Sequence, residues 1–188
     1  MNKTAFFLML SRLLAVGFFV FASLPVLAET IPLKSSSLRI VDGIATLDAQ
    51  YEVLLSEPLK EALDRGVPLY FALEWRATKP RWYWFDAVIF EKEELLDVKF
   101  SPLTLHYRVS SGWLTENVPT LAEAQRLIGN IASRPLFSVA DLDPKGRYQL
   151  SFRLSLVKSK MPKSLRFPTL SSKELTLSSD WTTLDFYP

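Results

Sequence analysis

The segment 147–157, RYQLSFRLSLV, alternates between polar and apolar side chains through Leu156. The apolar parity consists of Tyr148, Leu150, Phe152, Leu154 and Leu156. Successive side chains of a β-strand point to opposite faces, so a period of two predicts a strand with one face on a core. The sequence therefore predicts that this segment is a strand of a half-buried sheet.

Other segments show the same period of two. The predicted core positions are Leu47, Ala49, Tyr51, Val53 and Leu55 in one segment, Phe71, Leu73 and Trp75 in the next, and Leu103, Leu105, Tyr107 and Val109 in a third. A further strand is predicted from about Phe85 to Glu91. The side chains on both of its faces are apolar, so we expect both faces to be buried. Pro80 lacks a backbone N–H and marks a break between two of these strands.

Two short helices are predicted between the strands. Ser56 is an N-cap candidate for the first, which has Pro58 in its first turn and stops at Gly66. Thr120 and Glu123 have capping-box spacing at the start of the second. Strands on both sides of two helices, without βαβ alternation, predict a mainly β fold. We expect an antiparallel β-sandwich, immunoglobulin-like in general architecture, with roughly 7 to 9 strands. The alternative is a curved sheet with both helices on one face.

Residues 1–28 have the pattern of a signal peptide. Lys3 and Arg12 precede an apolar run that ends in Val26-Leu27-Ala28 before Glu29, and such a run with small residues at its end predicts cleavage near Ala28. Residues 29–188 would then form a single β-sandwich domain in the periplasm. The alternative is an uncleaved leader that anchors the chain in the inner membrane, with Arg12 inside lipid at a cost of about 2.5–3.5 kcal/mol.

The charge balance of the remaining chain argues against a nucleic-acid partner. The leader holds two of the 22 Lys and Arg residues and none of the 20 Asp and Glu residues, so residues 29–188 carry equal numbers of both. The basic pI of about 8.8 therefore comes from the leader, and no basic surface for nucleic acid is predicted. The chain has no cysteine, which excludes disulfides and an N-terminal lipid-modified Cys.

Few catalytic arrangements fit this composition. His106 is the only histidine, so mechanisms and metal sites that need several histidines are excluded. Neither a G-x-S-x-G motif nor a glycine-rich phosphate loop occurs. The acidic residues Glu91, Glu93, Glu94 and Asp97 could supply a carboxylate pair for glycoside hydrolysis, but we interpret them as a solvated sheet edge. We predict no catalytic residue, no metal and no cofactor, and expect that the protein is not an enzyme.

Eight of the 24 aromatic residues lie within residues 70–90, YFALEWRATKPRWYWFDAVIF. Parity assigns Phe71 and Trp75 to the core, which leaves residues 79–84 as the candidate site. The predicted binding residues are Lys79, Arg81, Trp82 and Trp84, with the two rings as a stacking surface and the cations as its rim. In the structural alternative, the rings close one end of the sandwich, because large aromatic side chains also fill cores.

Several blocks of the chain carry a family resemblance: RGVPLYFALEW, KPRWYWFD, LHYRVSSGW, TLAEA and SSDW. Together they resemble the family of exported proteobacterial proteins called domain of unknown function 4390, with PRWYWFD at 80–86 as the most specific block. The resemblance implies an envelope protein of a Gram-negative bacterium. It also implies an accessory role beside a membrane sensor histidine kinase, near which members are often encoded, and it transfers no activity or catalytic residue.

Two functions follow as hypotheses. The first is a non-enzymatic periplasmic module that binds an envelope protein, such as a sensor histidine kinase, through its aromatic residues. The second is a cell-wall carbohydrate-binding or carbohydrate-active protein, with the tryptophans as a sugar platform.

Overall fold

The computed structural model describes residues 30–112, 115–160 and 177–188. In chain order the strands are β1 (Leu33–Val41), β2 (Ile44–Tyr51), β3 (Leu69–Lys79), β4 (Ala87–Ser101), β5 (His106–Ser111), β6 (Thr115–Val118), β7 (Asn130–Ser138), β8 (Tyr148–Leu156) and β9 (Thr182–Phe186). The helices are α1 (Glu57–Asp64) and α2 (Leu121–Gly129), and a short 3-10 turn spans Lys158–Lys160.

The strands form two antiparallel sheets. The smaller sheet has the order β1-β2-β7, and the larger has the order β6-β5-β4-β3-β8-β9. β3 and β4 pair from Leu69↔Val98 to Lys79↔Ala87, with a bulge beside Ala77 and Thr78. The predicted mainly β fold with antiparallel sheets and two short helices is confirmed, and the single-sheet alternative is not observed.

The two sheets pack face to face. Phe137 of β7 contacts rings of the larger sheet: its ring centre lies 4.6 Å from that of Phe90, 5.6 Å from that of Trp75 and 5.9 Å from that of Phe186. Residues from both sheets, including Leu47, Phe71 and Phe152, are fully buried in one apolar cluster. Burial of this shared cluster supplies the main favourable free energy that holds the layers together.

Strand parity was predicted correctly where one face of a strand meets this core. In β8 the burial alternates at every residue, and Tyr148, Leu150, Phe152, Leu154 and Leu156 are all buried. Phe71, Leu73 and Trp75 are buried as predicted, as are all five core positions assigned between residues 45 and 55.

Both helices follow their predicted N-cap residues, Ser56 and Thr120, but the Ser56 side chain makes no capping hydrogen bond to its helix. The Thr120 hydroxyl accepts a hydrogen bond from the Glu123 backbone N–H at 3.2 Å, which satisfies one of the unpaired donors of the first turn of α2. Helix α2 ends at Gly129, and β7 begins at the next residue. The buried residue Ile131 therefore belongs to this strand and not to the helix. Gly66 ends the α1 region with a φ of +82°, a conformation that glycine adopts without steric cost.

Two predicted strand segments, 103–110 and 85–91, form strands over most of their length but were wrong at their first residues and in part of their burial. Leu103 and Leu105 lie in the turn between β4 and β5, and their exposed fractions are 97% and 67%. The strand predicted for 85–91 is the first part of the longer β4, and Val88 and Ile89 near its start are exposed, not covered. These residues lie next to the loop at the end of the sandwich. Among the described residues, nothing covers them there.

Candidate functional site

The aromatic loop, defined as residues 80–86, connects β3 to β4. The β-ladder ends at the pair Lys79↔Ala87, because Pro80 has no N–H with which to continue it. Seven residues therefore lie outside the ladder, at the tip of the hairpin formed by two central strands of the larger sheet. The loop is positioned by a rigid scaffold, which is the usual arrangement for binding loops.

Four consecutive aromatic side chains of this loop are exposed to solvent. The exposed fractions are 94% for Trp82, 66% for Tyr83, 70% for Trp84 and 84% for Phe85. The rings therefore do not fill the end of the sandwich, so the structural alternative for Trp82 and Trp84 is wrong. Exposed apolar surface of this kind is typical of an interaction site.

The four rings form two edge-to-face pairs. Trp82 and Tyr83 have ring centres 5.2 Å apart and planes inclined by 70°, while Trp84 and Phe85 are 6.1 Å apart with planes inclined by 82°. Edge-to-face contact is a favourable geometry for aromatic rings, so each pair orders its members before any partner binds. The planes of each pair do not form a single flat platform.

The two predicted cations lie at the base of the loop. The Lys79 ammonium is 3.6 Å from a carboxylate oxygen of Asp143 and 5.5 Å from the ring centre of Tyr148. The backbone N–H of Arg81 donates to a carboxylate oxygen of Asp86 at 3.2 Å, which links the two ends of the loop. Lys79 is thus tied to a neighbouring segment, whereas Arg81 lies in the loop next to Trp82.

Other exposed apolar residues lie at the same end of the sandwich. β8 starts beside the end of β3, at the pair Thr78↔Gln149, and the segment 139–147 leads from β7 to that start. The Val139 backbone N–H donates to the Gly43 carbonyl at 2.9 Å, which places the β1–β2 turn at this end too. We call this surface the aromatic end; besides the loop, its exposed apolar residues are Ile40, Val41, Val88, Ile89 and Tyr187.

Sequence reasoning missed part of this surface. The rings of Tyr83 and Phe85 are also exposed, yet Tyr83, although inside the candidate range 79–84, was not named as a binding residue, and Phe85 was assigned to a strand. The position of Pro80 was the available signal, since a break in the ladder frees every following ring until the next strand begins. Val88 and Ile89 were missed because apolar residues of a strand are normally covered.

The acidic cluster does not lie at a sheet edge, although Glu91 and Glu93 are exposed to solvent. β4 lies between β3 and β5, and Glu94 is only 6% exposed. Arg134 Nε of the smaller sheet donates to Glu94 Oε2 at 2.6 Å, and the Lys92 ammonium lies 2.9 Å from Glu94 Oε1. Burial opposes ionisation of Glu94, but hydrogen bonds and charge from Arg134 and Lys92 outweigh it and hold the pKa below its ordinary value. Glu94 therefore provides a link between the sheets.

The remaining titratable groups do not assemble around the aromatic loop. His106 is exposed at the start of β5, where its Nδ1 meets the Thr104 carbonyl. Burial raises the pKa of Asp97, against the opposing charge of Arg108. Within the described ranges, no group of three or more His, Cys, Asp or Glu side chains is arranged to hold a metal ion. No helix in the same ranges has the length and apolar character needed to cross a membrane.

Comparison with known proteins agrees with the resemblance seen in the sequence blocks. Neither a curated protein nor a solved structure matches the chain with significance. A family match covers residues 28–185, which includes both helices, the aromatic loop and both sheets apart from Phe186. The chain belongs to the family described as Domain of unknown function (DUF4390).

Proposed function

We propose that this protein is a non-enzymatic accessory module of the cell envelope that binds a membrane-embedded protein, such as a sensor histidine kinase, through its aromatic end. The observation that carries the proposal is the exposure of four consecutive rings on a central hairpin. Trp, Tyr and Arg are the residues most enriched among those that dominate binding energies, and Arg81 adjoins Trp82 in this loop.

The order already present in the loop favours binding. Each ring contacts a neighbour, and the Arg81 N–H bond to Asp86 closes the loop across its base. Aromatic side chains also have few rotatable bonds, so little conformational entropy is lost when they become buried. A partner that covers these rings gains apolar burial at a small ordering cost.

Two observations support a binding role over catalysis. The one histidine lies on β5, whose start is at the far end of the larger sheet from the loop. Glu94 and Glu74 are neutralised by arginines: Arg134 binds the first, and Arg153 Nε and Nη2 bind the second at 3.0 and 2.8 Å. The carbohydrate alternative has weaker support, because Trp82 and Trp84 each make an edge-to-face contact with another ring, Tyr83 and Phe85, and neither of these pairs forms a flat stacking platform for a sugar.

Site-specific photo-crosslinking in cells tests the proposal. A photoreactive phenylalanine at Tyr83 should crosslink to a protein of the membrane fraction, and Trp82→Ala/Trp84→Ala should abolish that product. The same probe at Leu103, exposed at the opposite end of the sheet, is the matched control and should give no such product. Equal crosslinking from both positions, or none from Tyr83, would refute the proposed docking end.

A further inference from the structure

The aromatic loop is a convex tip. It lies beyond the last pair of the β3–β4 ladder, and all four of its rings are at least 66% exposed. The ring planes within each pair are inclined by 70° and 82°, so the rings do not form one flat face. A flat protein surface could cover only one side of such a tip. A fluid medium that closes around it can cover all of its sides at once.

The composition of the tip matches the interface of a lipid bilayer. Trp and Tyr rings concentrate at membrane–water interfaces, where the apolar body of the ring meets acyl chains and its polar N–H or O–H meets headgroups and water. Trp82, Tyr83 and Trp84 are residues of this type, and Phe85 adds a fully apolar ring. Val88 and Ile89, which are 55% and 37% exposed, continue the apolar surface onto β4 behind the tip.

The charges of the loop fit the same depth. Arg81 directly precedes the four rings, and Lys79 lies at the end of β3, so both cations stand at the level of lipid phosphates when the rings enter the interface. Asp143 pairs with Lys79, and Asp86, whose carboxylate accepts a hydrogen bond from the Arg81 backbone N–H, places a negative charge in the same loop as Arg81. The electrostatic contribution is therefore modest, and the rings supply most of the attraction.

The backbone limits how deep the loop can go. Residues 80–86 are not part of the ladder, and irregular backbone groups exposed to hydrocarbon would lose their hydrogen bonds to water. Insertion therefore stops about 5–10 Å into the boundary between headgroups and acyl chains. Side chains reach this depth while the strands stay in water.

We propose that the aromatic loop inserts into the headgroup region of a phospholipid bilayer and holds the aromatic end of the sandwich against the membrane. This inference rests on the proposed function for the statement that the aromatic end is the docking end. It goes further by placing the loop tip at the bilayer surface, where its rings contact lipid and, at the level of the headgroups, lie beside the membrane-embedded protein.

Tryptophan fluorescence with vesicles tests the insertion. The protein is purified as cells process it and mixed with phosphatidylethanolamine vesicles that do or do not contain phosphatidylglycerol. The five tryptophans all lie outside residues 1–28, so the signal does not report on the leader. We expect a blue shift and quenching by brominated acyl chains. Because Trp82→Ala/Trp84→Ala removes the reporting rings, its partitioning is measured by sedimentation with the vesicles, and it should be at least about 100-fold weaker than that of the wild type, since each buried ring contributes roughly tenfold.

Two variants make the result specific. Leu103→Ala/Leu105→Ala removes exposed apolar side chains at the opposite end of the sheet and should partition like the wild type. Arg81→Gln should weaken binding by about fivefold on vesicles with phosphatidylglycerol and little on those without it.

The outcomes separate this inference from the proposed function. Partitioning that depends on Trp82 and Trp84 supports insertion, even if no protein is crosslinked from Tyr83, in which case only the protein partner fails. If the wild type binds neither kind of vesicle, insertion is refuted. Insertion is also refuted if Trp82→Ala/Trp84→Ala binds the vesicles as strongly as the wild type. A Tyr83 crosslink to a membrane protein without vesicle binding overturns insertion and leaves the proposed function intact.

Discussion

The ion pair between the sheets can be tested by removing its cation. The Glu94 side chain is 4% exposed and that of Arg134 is 15% exposed, whereas the side chain of Lys92 is 56% exposed. Replacing Arg134 by Met leaves a buried carboxylate with only the half-solvated ammonium of Lys92. Loss of one partner of a buried pair lowers the free energy of unfolding by about 3–5 kcal/mol. Because Lys92 still partly compensates the charge of Glu94, we expect a decrease of about 3 kcal/mol.

Urea unfolding followed by circular dichroism gives the measurement. A loss of about 3 kcal/mol corresponds to a fall in melting temperature of roughly 6–12 °C for a chain of this size. Arg134→Met/Glu94→Leu should return to within about 1 kcal/mol of the wild type, since an apolar pair of similar volume often replaces a buried ion pair without loss. Arg65→Met is the matched control; its pair with Glu61 is exposed on both sides and should cost less than about 0.5 kcal/mol.

The same pair predicts a pH dependence. The pKa of Glu94 is lower in the folded protein than its ordinary value of 4.5, so its contribution to stability is fully present above about pH 4.5 and is lost as the pH falls through the folded pKa. The free-energy difference between the wild type and Arg134→Met should therefore narrow under acid conditions. A difference below about 1 kcal/mol at pH 7, or a double variant as unstable as the single one, would refute this account of the buried pair.

Three further substitutions test the packing of the sandwich. Trp75→Ala should cost about 3–5 kcal/mol in urea unfolding because the ring is 3% exposed and contacts Phe137, and an unchanged midpoint would contradict the register of β3. Gly129→Ala should lower the thermal midpoint by several degrees, since its Cβ would lie 2.3 Å from the Tyr51 carbonyl oxygen, and a neutral result would contradict that close approach. Thr120→Ala should cost about 1 kcal/mol by removing the cap of α2, whereas Thr120→Ser should cost little.

Strand parity was readable from the sequence because one face of each inner strand meets a dry core. β8 shows this best, since its burial alternates over nine residues without interruption. Where the chain turns, the same signal misleads. Leu103 and Leu105 follow the same alternation as the residues of β5, but both precede that strand. They lie in a turn, in which Leu105 has a φ of +55°, so the alternation does not place them on the core. Periodicity records which side chains are apolar and not where the ladder ends.

The link between Glu94 and Arg134 could not be read from the sequence for a different reason. The two residues are 40 positions apart and belong to different sheets. Glu94 has the parity of Leu96 and Val98, which are buried, so its position already implied burial or a partner. Local pattern identified the acidic cluster, but only the packing of the two sheets shows that one of its members is neutralised.

The aromatic loop shows where composition stops being informative. Trp75 and Trp82 are seven residues apart and have the same apolar ring, yet one is 3% exposed and the other 94%. What separates them is the ladder, which holds Trp75 against Phe152 and ends before Trp82. The opposite end of the larger sheet also exposes apolar side chains, at Leu103 and Leu105, but the rings beside them, Phe100 and Tyr107, are half-buried and pack against each other. If exposed apolar area alone caused membrane association, both ends would bind equally. Because interface preference belongs to Trp and Tyr rings and not to leucine, binding should depend on the aromatic loop alone, and a comparison of the two ends decides between these explanations.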